Sequence, residues 1–203
     1  MPYPDRFYPV VDSVAWVERL TKLGVGTIQL RAKNLDDAQA LAIVREALAV
    51  THSTPTRLVV NDYWRAAIDA GAQHLHLGQE DLNTADVPAI RRAGLTLGVS
   101  THDETELDNA LAYKPDYIAL GPIYETTLKK MRFAPQGIER ITAWKLLIGA
   151  TPLVAIGGIK LEQAEMIFAA GADSIAVVSD VTQNPDPDAR VKAWLKATTE
   201  TVG

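Results

Sequence analysis

Four stretches of this chain close with the same gesture, Leu23-Gly24, Ala70-Gly71, Ala93-Gly94 and Ala170-Gly171, and an apolar run follows each within a few residues. Glycine enters the left-handed conformation that ends a helix, so each pair marks a helix handing over to a strand. Strand-like runs occur at Phe7–Val11, Thr27–Leu30, Leu58–Val60, His74–Leu77, Leu95–Val99, Tyr117–Leu120, Pro152–Ile156 and Ser174–Val178. Helix-like stretches fill the gaps. The first long one, 35–50, carries Leu41, Val44 and Leu48 at helical spacing, with Asn34 expected as its N-cap. Others are expected at 64–70, 85–93, 104–112, 136–148 and 161–170, and a last one from Pro187 with Val191, Trp194 and Leu195 as its buried stripe. Eight strands alternating with helices in 203 residues predict one α/β domain over 1–203, a (β/α)8 TIM barrel. An open doubly wound sheet is the alternative. No Pro/Ser-rich linker or charge block divides the chain.

Composition narrows the function. Hydrophobic residues at 47% suit a globular core, and 20 basic against 25 acidic residues give a formal charge of -5, which argues against general nucleic-acid affinity. The absence of cysteine excludes thiol nucleophiles, thiolate zinc sites and disulfides. No run approaches the roughly 18 apolar residues of a membrane span, and residues 1–14 lack a secretory pattern. A soluble cytoplasmic protein is expected, with small molecules rather than nucleic acid or membrane as partners.

Polar residues cluster where the strands end, which is where parallel α/β proteins place their chemistry. Arg31 and Lys33 follow the second strand, Asn61 and Asp62 the third, Asp81 the fourth, and Ser100 the fifth. Arg31 offers a planar fork and Lys33 a point charge, both suited to a diphosphate. Asp62 and Asp81, with water and phosphate oxygens, would complete the octahedral oxygen shell of Mg2+. Each aspartate alone also has a bland reading, Asp62 as the cap of the following helix and Asp81 as a loop turn residue. Gly157-Gly158 after the seventh strand and Val178-Ser179 after the eighth match the recurrent phosphate site of a barrel, built from backbone amides. His74 and His76 share a strand face and raise the question of zinc, but with no third ligand nearby in sequence they read as packed, hydrogen-bonded histidines. Lys129, Lys130 and Arg132 form a basic loop after the sixth strand, which charge alone reads equally as a lid closing over an anion or as a plain solvated loop.

The ordered set of phrases resembles the thiamine phosphate synthase (thiamine-phosphate pyrophosphorylase) family along nearly the whole chain. The matching segments are 7–13, 29–33, 61–65, 76–81, 98–103, 134–137, 155–159 and 176–179. The resemblance implies a barrel that joins a pyrimidine diphosphate to a thiazole phosphate, giving thiamine monophosphate and pyrophosphate. It implies that Gln29, Arg31, Lys33, Asn61, Ser100 and Lys129 hold the pyrimidine diphosphate, with Tyr8 near the pyrimidine. By the same resemblance Asp62 and Asp81 hold Mg2+, while Thr126, Thr127, Leu128, Gly158, Val178 and Ser179 meet the thiazole phosphate. Arg31, Lys33, Ser100 and Lys129 are then the expected catalytic residues. Glu125 and Leu128 stand where the family pattern has proline and threonine. The competing readings are a related thiazole tautomerase, which needs no diphosphate grip, a phosphate-binding barrel isomerase, which would lack the paired carboxylates, and a non-catalytic thiamine-precursor binder.

Overall fold

In a computed structural model, which describes residues 3–125 and 134–199, eight parallel strands close into a barrel in the order β1 to β8. They are β1 (Phe7–Val11), β2 (Thr27–Leu30), β3 (Arg57–Asn61), β4 (His74–Leu77), β5 (Thr96–Thr101), β6 (Tyr117–Leu120), β7 (Leu153–Ile156) and β8 (Ser174–Val177). Helices α1 (Val14–Lys22), α2 (Asp37–Thr51), α3 (Trp64–Asp69), α4 (Gln79–Thr84), α5 (Val87–Arg92), α6 (Glu104–Ala112), α7 (Gly137–Ile148), α8 (Ala164–Ala169), α9 (Ser179–Thr182) and α10 (Pro187–Thr199) connect them or close the chain. The chain is the expected (β/α)8 barrel.

Side chains alternate across each strand, and this period of two sorts the sequence into two cores. Phe7, Val11, Ile28, Leu30, Leu58, Val60, Leu75, Leu77, Leu97 and Val99 face outward and pack under the helices in one continuous buried cluster. Tyr8, Val10, Val59, Tyr117, Ala119, Val154 and Ala176 form a second cluster that fills the barrel itself. The same inward face, read one step further along each strand, carries the polar residues. A barrel therefore presents its interior chemistry at the carboxyl ends for a simple reason: the apolar floor lies below it.

The four helix-ending glycines all have positive φ, from +74 at Gly71 to +110 at Gly171, as their position requires. Some boundaries move. The N-cap of α2 is Asp36, which accepts from the Gln39 amide in a capping box, whereas Asn34 sits in a left-handed turn at φ 60. The expected helix at 85–93 contracts to Val87–Arg92 behind an Asp86 cap. The stretch 161–170 splits into a 3-10 turn, Leu161–Gln163, and α8. Helices α4 and α9 are not anticipated in the sequence, since each has one fully buried apolar residue, Leu82 or Val181, and no stripe. Among the described residues no helix is long and apolar enough to cross a membrane.

Candidate active site

The carboxyl ends of the strands surround a cavity of about 960 Å³. Of the residues singled out from the sequence, Tyr8, Gln29, Arg31, Lys33, Asn61, Asp62, Asp81, Ser100 and Val178 line it. Gly158 and Ser179 lie beside the lining residues Gly157 and Val178 rather than on the lining itself. Thr126, Thr127, Leu128, Lys129, Lys130 and Arg132 lie outside the described residues. Their flanks are held at one place: Ile123 N donates to Ile156 O at 2.9 Å and Tyr124 N to Gly157 O at 3.0 Å. On the far side, Gln136 N donates to Pro122 O at 2.7 Å.

One side of the cavity is ionic. Asp62 occupies the left-handed region at φ 66, a conformation aspartate tolerates, and its amide donates to His76 O at 2.9 Å. The residue capping α3 is Tyr63, without a side-chain cap bond, so Asp62 is not the helix cap. Its carboxylate instead pairs with the Lys33 ammonium. Burial pushes the Asp62 carboxyl up, but Lys33 more than offsets this and holds it below the ordinary carboxylate range. Asp81 lies in the first turn of α4, not in an open loop. That helix is positioned by Gln79, whose Nε2 donates to Ser100 O at 2.8 Å and whose Oε1 accepts from Asn109 Nδ2 at 2.8 Å. Partial burial raises the Asp81 carboxyl above its ordinary value, and the neighbouring Asp62 charge raises it further.

A carboxylate whose ionisation is opposed by a second one, with one ammonium beside them, suits a hard divalent cation, which would relieve that repulsion. Mg2+ takes few protein carboxylates and keeps several waters, so a pair fits it better than a dedicated cage. Among the described residues no group of three or more His, Asp or Glu side chains is arranged to hold a metal. Asn61 adds a buried donor: among the described residues its Nδ2 has no partner at full hydrogen-bond geometry, and it lies near enough to the Asp62 carboxylate to help hold that group ionised. A buried amide without a full partner has capacity left for a further acceptor in the cavity.

Below this rim a line of hydrogen bonds runs across the barrel. Gln29 Nε2 donates to Tyr8 Oη at 2.7 Å, and Tyr8 Oη lies 2.8 Å from Tyr117 Oη. Tyr117 Oη is 2.9 Å from His76 Nδ1, whose Nε2 is 2.7 Å from Ser100 Oγ. Burial lowers the affinity of His76 for a proton to about 4, so the ring is neutral at physiological pH. Burial also pushes the Tyr8 and Tyr117 hydroxyls up, so both stay protonated. His74 is likewise lowered to about 4 by burial, bonds Thr96 Oγ1 at 2.8 Å and stacks on Tyr3 with ring centroids 4.7 Å apart. Both histidines are hydrogen-bonded strand residues, as expected, but His76 also lines the cavity. Tyr117 escapes a reading of the sequence because 117–120 looks like an ordinary apolar strand. The one available signal is Gly98 within β5, since glycine inside a strand marks a close approach. A Cβ at Gly98 would lie 2.0 Å from Tyr117 Cζ.

The opposite side is built from backbone. Gly157 and Gly158 have φ of +102 and +67, and a Cβ at Gly158 would lie 2.3 Å from Glu125 O. Val178 is the N-cap of α9 and its carbonyl accepts from the Val181 and Thr182 amides at 3.1 and 2.9 Å, which leaves the Ser179 and Asp180 amides without a helical acceptor. This short helix is held from behind by Asp180, which accepts from Arg190 Nε at 2.8 Å and Trp194 Nε1 at 2.7 Å. The cavity thus has a cationic and carboxylate end and, across it, a glycine and amide end. It can hold two anionic groups apart.

A family model described as thiamine monophosphate synthase matches residues 7–181. A thiamine-phosphate synthase of Rhizobium etli is 55% identical over 194 residues, which is 96% of this chain and 95% of that protein. One of Cronobacter sakazakii is 54% identical over 187 residues, 91% and 89% of the two chains. The solved structure of a thiamine phosphate pyrophosphorylase from Pyrococcus furiosus matches with a TM-score of 0.83 at 25% identity, covering 98% of this chain and 97% of that one. A 3-hexulose-6-phosphate synthase matches with a TM-score of 0.71 at 16% identity over 95% of this chain and 99% of that one, a likeness of fold alone.

Proposed function

The chain belongs to the thiamine monophosphate synthase family, and on that premise we propose that it joins an aminopyrimidine diphosphate to a thiazole phosphate, releasing pyrophosphate. The observation that carries this reading is the two-ended cavity, with Arg31, Lys33 and paired carboxylates on one side and Gly157 and Val178 on the other. A tautomerase acting on the thiazole phosphate alone would have no use for the first of these ends.

Arg31 and Lys33 bind the diphosphate, and Asn61 Nδ2 supplies a further buried donor. Asp62 and Asp81 hold Mg2+, which when bound supplies Lewis-acid stabilisation of the leaving group. The exocyclic amine feeds electron density into the pyrimidine ring, so the C–O bond to diphosphate breaks early and the methylene carbon becomes cationic. Arg31 and Lys33, together with Lys129 from beyond the described residues, stabilise the negative charge collecting on the departing diphosphate. Ser100 and Tyr8 position the pyrimidine. The amides around Gly158 and Val178-Ser179, with 126–128, grip the thiazole phosphate so that its ring nitrogen faces the cationic carbon. The nitrogen's lone pair forms the new C–N bond, and no enzyme nucleophile is needed.

The test is pyrophosphate release with the two substrates supplied singly and together. The proposed function requires stoichiometric pyrophosphate and coupled product when both are present, reduced by at least about a hundredfold in Arg31→Ala, the scale of losing one preorganised stabilising group. Tight binding of both compounds with no pyrophosphate released identifies a precursor-binding protein instead.

A further inference from the structure

We propose that Tyr8, Tyr117 and His76 are positioning residues that fix Ser100 as a hydrogen-bond donor toward the cavity, through one ordered line of protons that begins at Gln29. The ring that Ser100 meets rests on the function proposed above; the order of the protons does not.

The order follows from counting donors. Gln29 Nε2 faces Tyr8 Oη and must donate. Tyr8 has a single hydroxyl proton and is 1% exposed, and among the described residues its other hydroxyl partner is Tyr117. Tyr8 therefore donates to Tyr117. Tyr117 is fully buried, and its own proton goes to the remaining neighbour, His76 Nδ1. With Nδ1 accepting, the proton of the neutral imidazole sits on Nε2 and is donated to Ser100 Oγ. The Ser100 proton is then left to point into the cavity. Reversing any link strands a buried hydroxyl proton: if Tyr117 donated to Tyr8, the Tyr8 proton would have no acceptor among the described residues. A doubly protonated imidazole fails for the same reason, because Tyr117 would again have to donate to Tyr8. Buried donors left unpaired are costly, so the line has one fully satisfied direction.

The fold makes room for this line. His76 is in register with Gly98, and Gly98 with Tyr117. With no side chain at Gly98, the Tyr117 ring occupies that space and stacks on His76, with centroids 5.5 Å apart and planes at 22°. The two ends of the line then have opposite polarity. Ser100 offers a donor, and Gln29, on the same cavity, keeps Oε1 as an acceptor. That pair suits a planar heterocycle with a ring-nitrogen lone pair and an exocyclic amine. A ring with the opposite polarity would need every proton in the line reversed and the Gln29 amide turned over.

The experiment reads the His76 tautomer in the free protein by long-range proton–nitrogen correlation after histidine labelling. The signal is assigned by its loss in His76→Gln or, if that variant does not fold, in a protein lacking His52, His74 and His102. The wild type is expected to carry its proton on Nε2. Gln29→Glu replaces the terminal donor by an acceptor, so Tyr8, Tyr117 and Ser100 all reverse and the proton moves to Nδ1, measured up to pH 9. Tyr117→Phe cuts the line and removes this sensitivity to Gln29→Glu. A wild-type proton on Nδ1, or an exchange-averaged signal, overturns the proposed direction. A tautomer unchanged by Gln29→Glu through pH 9 overturns the coupling. Should Gln29→Glu fail to fold, the wild-type tautomer decides the direction by itself.

Discussion

Asp62 carries two duties that a substitution can separate. Its carboxylate meets Lys33 and neighbours Asp81, while its backbone sits at φ 66. Asparagine tolerates that conformation and alanine does not, at a cost of about 1–2 kcal/mol. Asp62→Asn is therefore expected to lose on the order of a hundredfold or more in turnover, with a stability cost limited to the lost Lys33 pair. Asp62→Ala loses the same activity and about 1–2 kcal/mol of stability besides. Urea unfolding of both variants beside a turnover assay checks the split; equal stability in the two would remove the backbone argument. His76 makes the second residue-scale prediction. Its folded-state proton affinity lies below the ordinary 6.5, at about 4, so its contribution to stability is complete above pH 6.5. As pH falls from 6.5 toward 4 the unfolded chain takes up a proton that the folded protein refuses, and about 3 kcal/mol is lost. His74 works in the same direction over the same window. Between pH 7 and pH 4.5 the wild type should lose about 2–3 kcal/mol more than His76→Gln. Parallel losses in the two proteins would show that His76 is not held neutral by the fold.

At the scale of elements, two glycines decide how neighbouring strands and loops approach. Gly98→Ala places a methyl group against Tyr117 and is expected to cost about 1–3 kcal/mol, the range for overpacking. In a Tyr117→Ala background the space is open, so the same substitution should cost almost nothing; an undiminished cost there would place the clash elsewhere. Gly158→Val has a wider effect than blocking a phosphate from the backbone, because its side chain would strike Glu125 O and Tyr124, the root of 126–133. The expected result is a tenfold or greater loss of kcat/KM for both substrates, since Lys129 follows that root. An effect confined to the thiazole phosphate would return Gly158 to a purely local role. These contacts mark the boundary of what the sequence makes legible. Arg31, Lys33, Asp62 and Asp81 stand out because charged residues directly after apolar strands have few structural reasons to be there. Tyr117 does not, since it is ordinary in its own strand, and Gly98 signals a close approach without saying to what; both acquire their meaning through register across β4, β5 and β6. Helices α4 and α9 are hidden for a related reason: each docks through one buried side chain, so neither has an amphipathic period.

The whole molecule follows from one alternation. Outward residues build a continuous core under the helices, inward residues fill the barrel, and the barrel's upper end is where the apolar filling stops. That much is readable from helix-ending glycines and strand-length apolar runs, which is why the closed barrel is predictable from the chain alone. The ionic end and the glycine end of the cavity arise from neighbouring strands on opposite arcs of that barrel, β2 to β4 and β7 to β8. Closure is what brings them to face one another across about 960 Å³. In the function proposed above, this arrangement joins two phosphorylated rings rather than merely holding them. The most direct test is incubation of the purified chain with aminopyrimidine diphosphate, thiazole phosphate and Mg2+, with mass detection of thiamine monophosphate. The expected result is thiamine monophosphate in equal amount to released pyrophosphate, lost in excess chelator and restored by added Mg2+. No product under these conditions, from folded protein that binds both compounds, would contradict it.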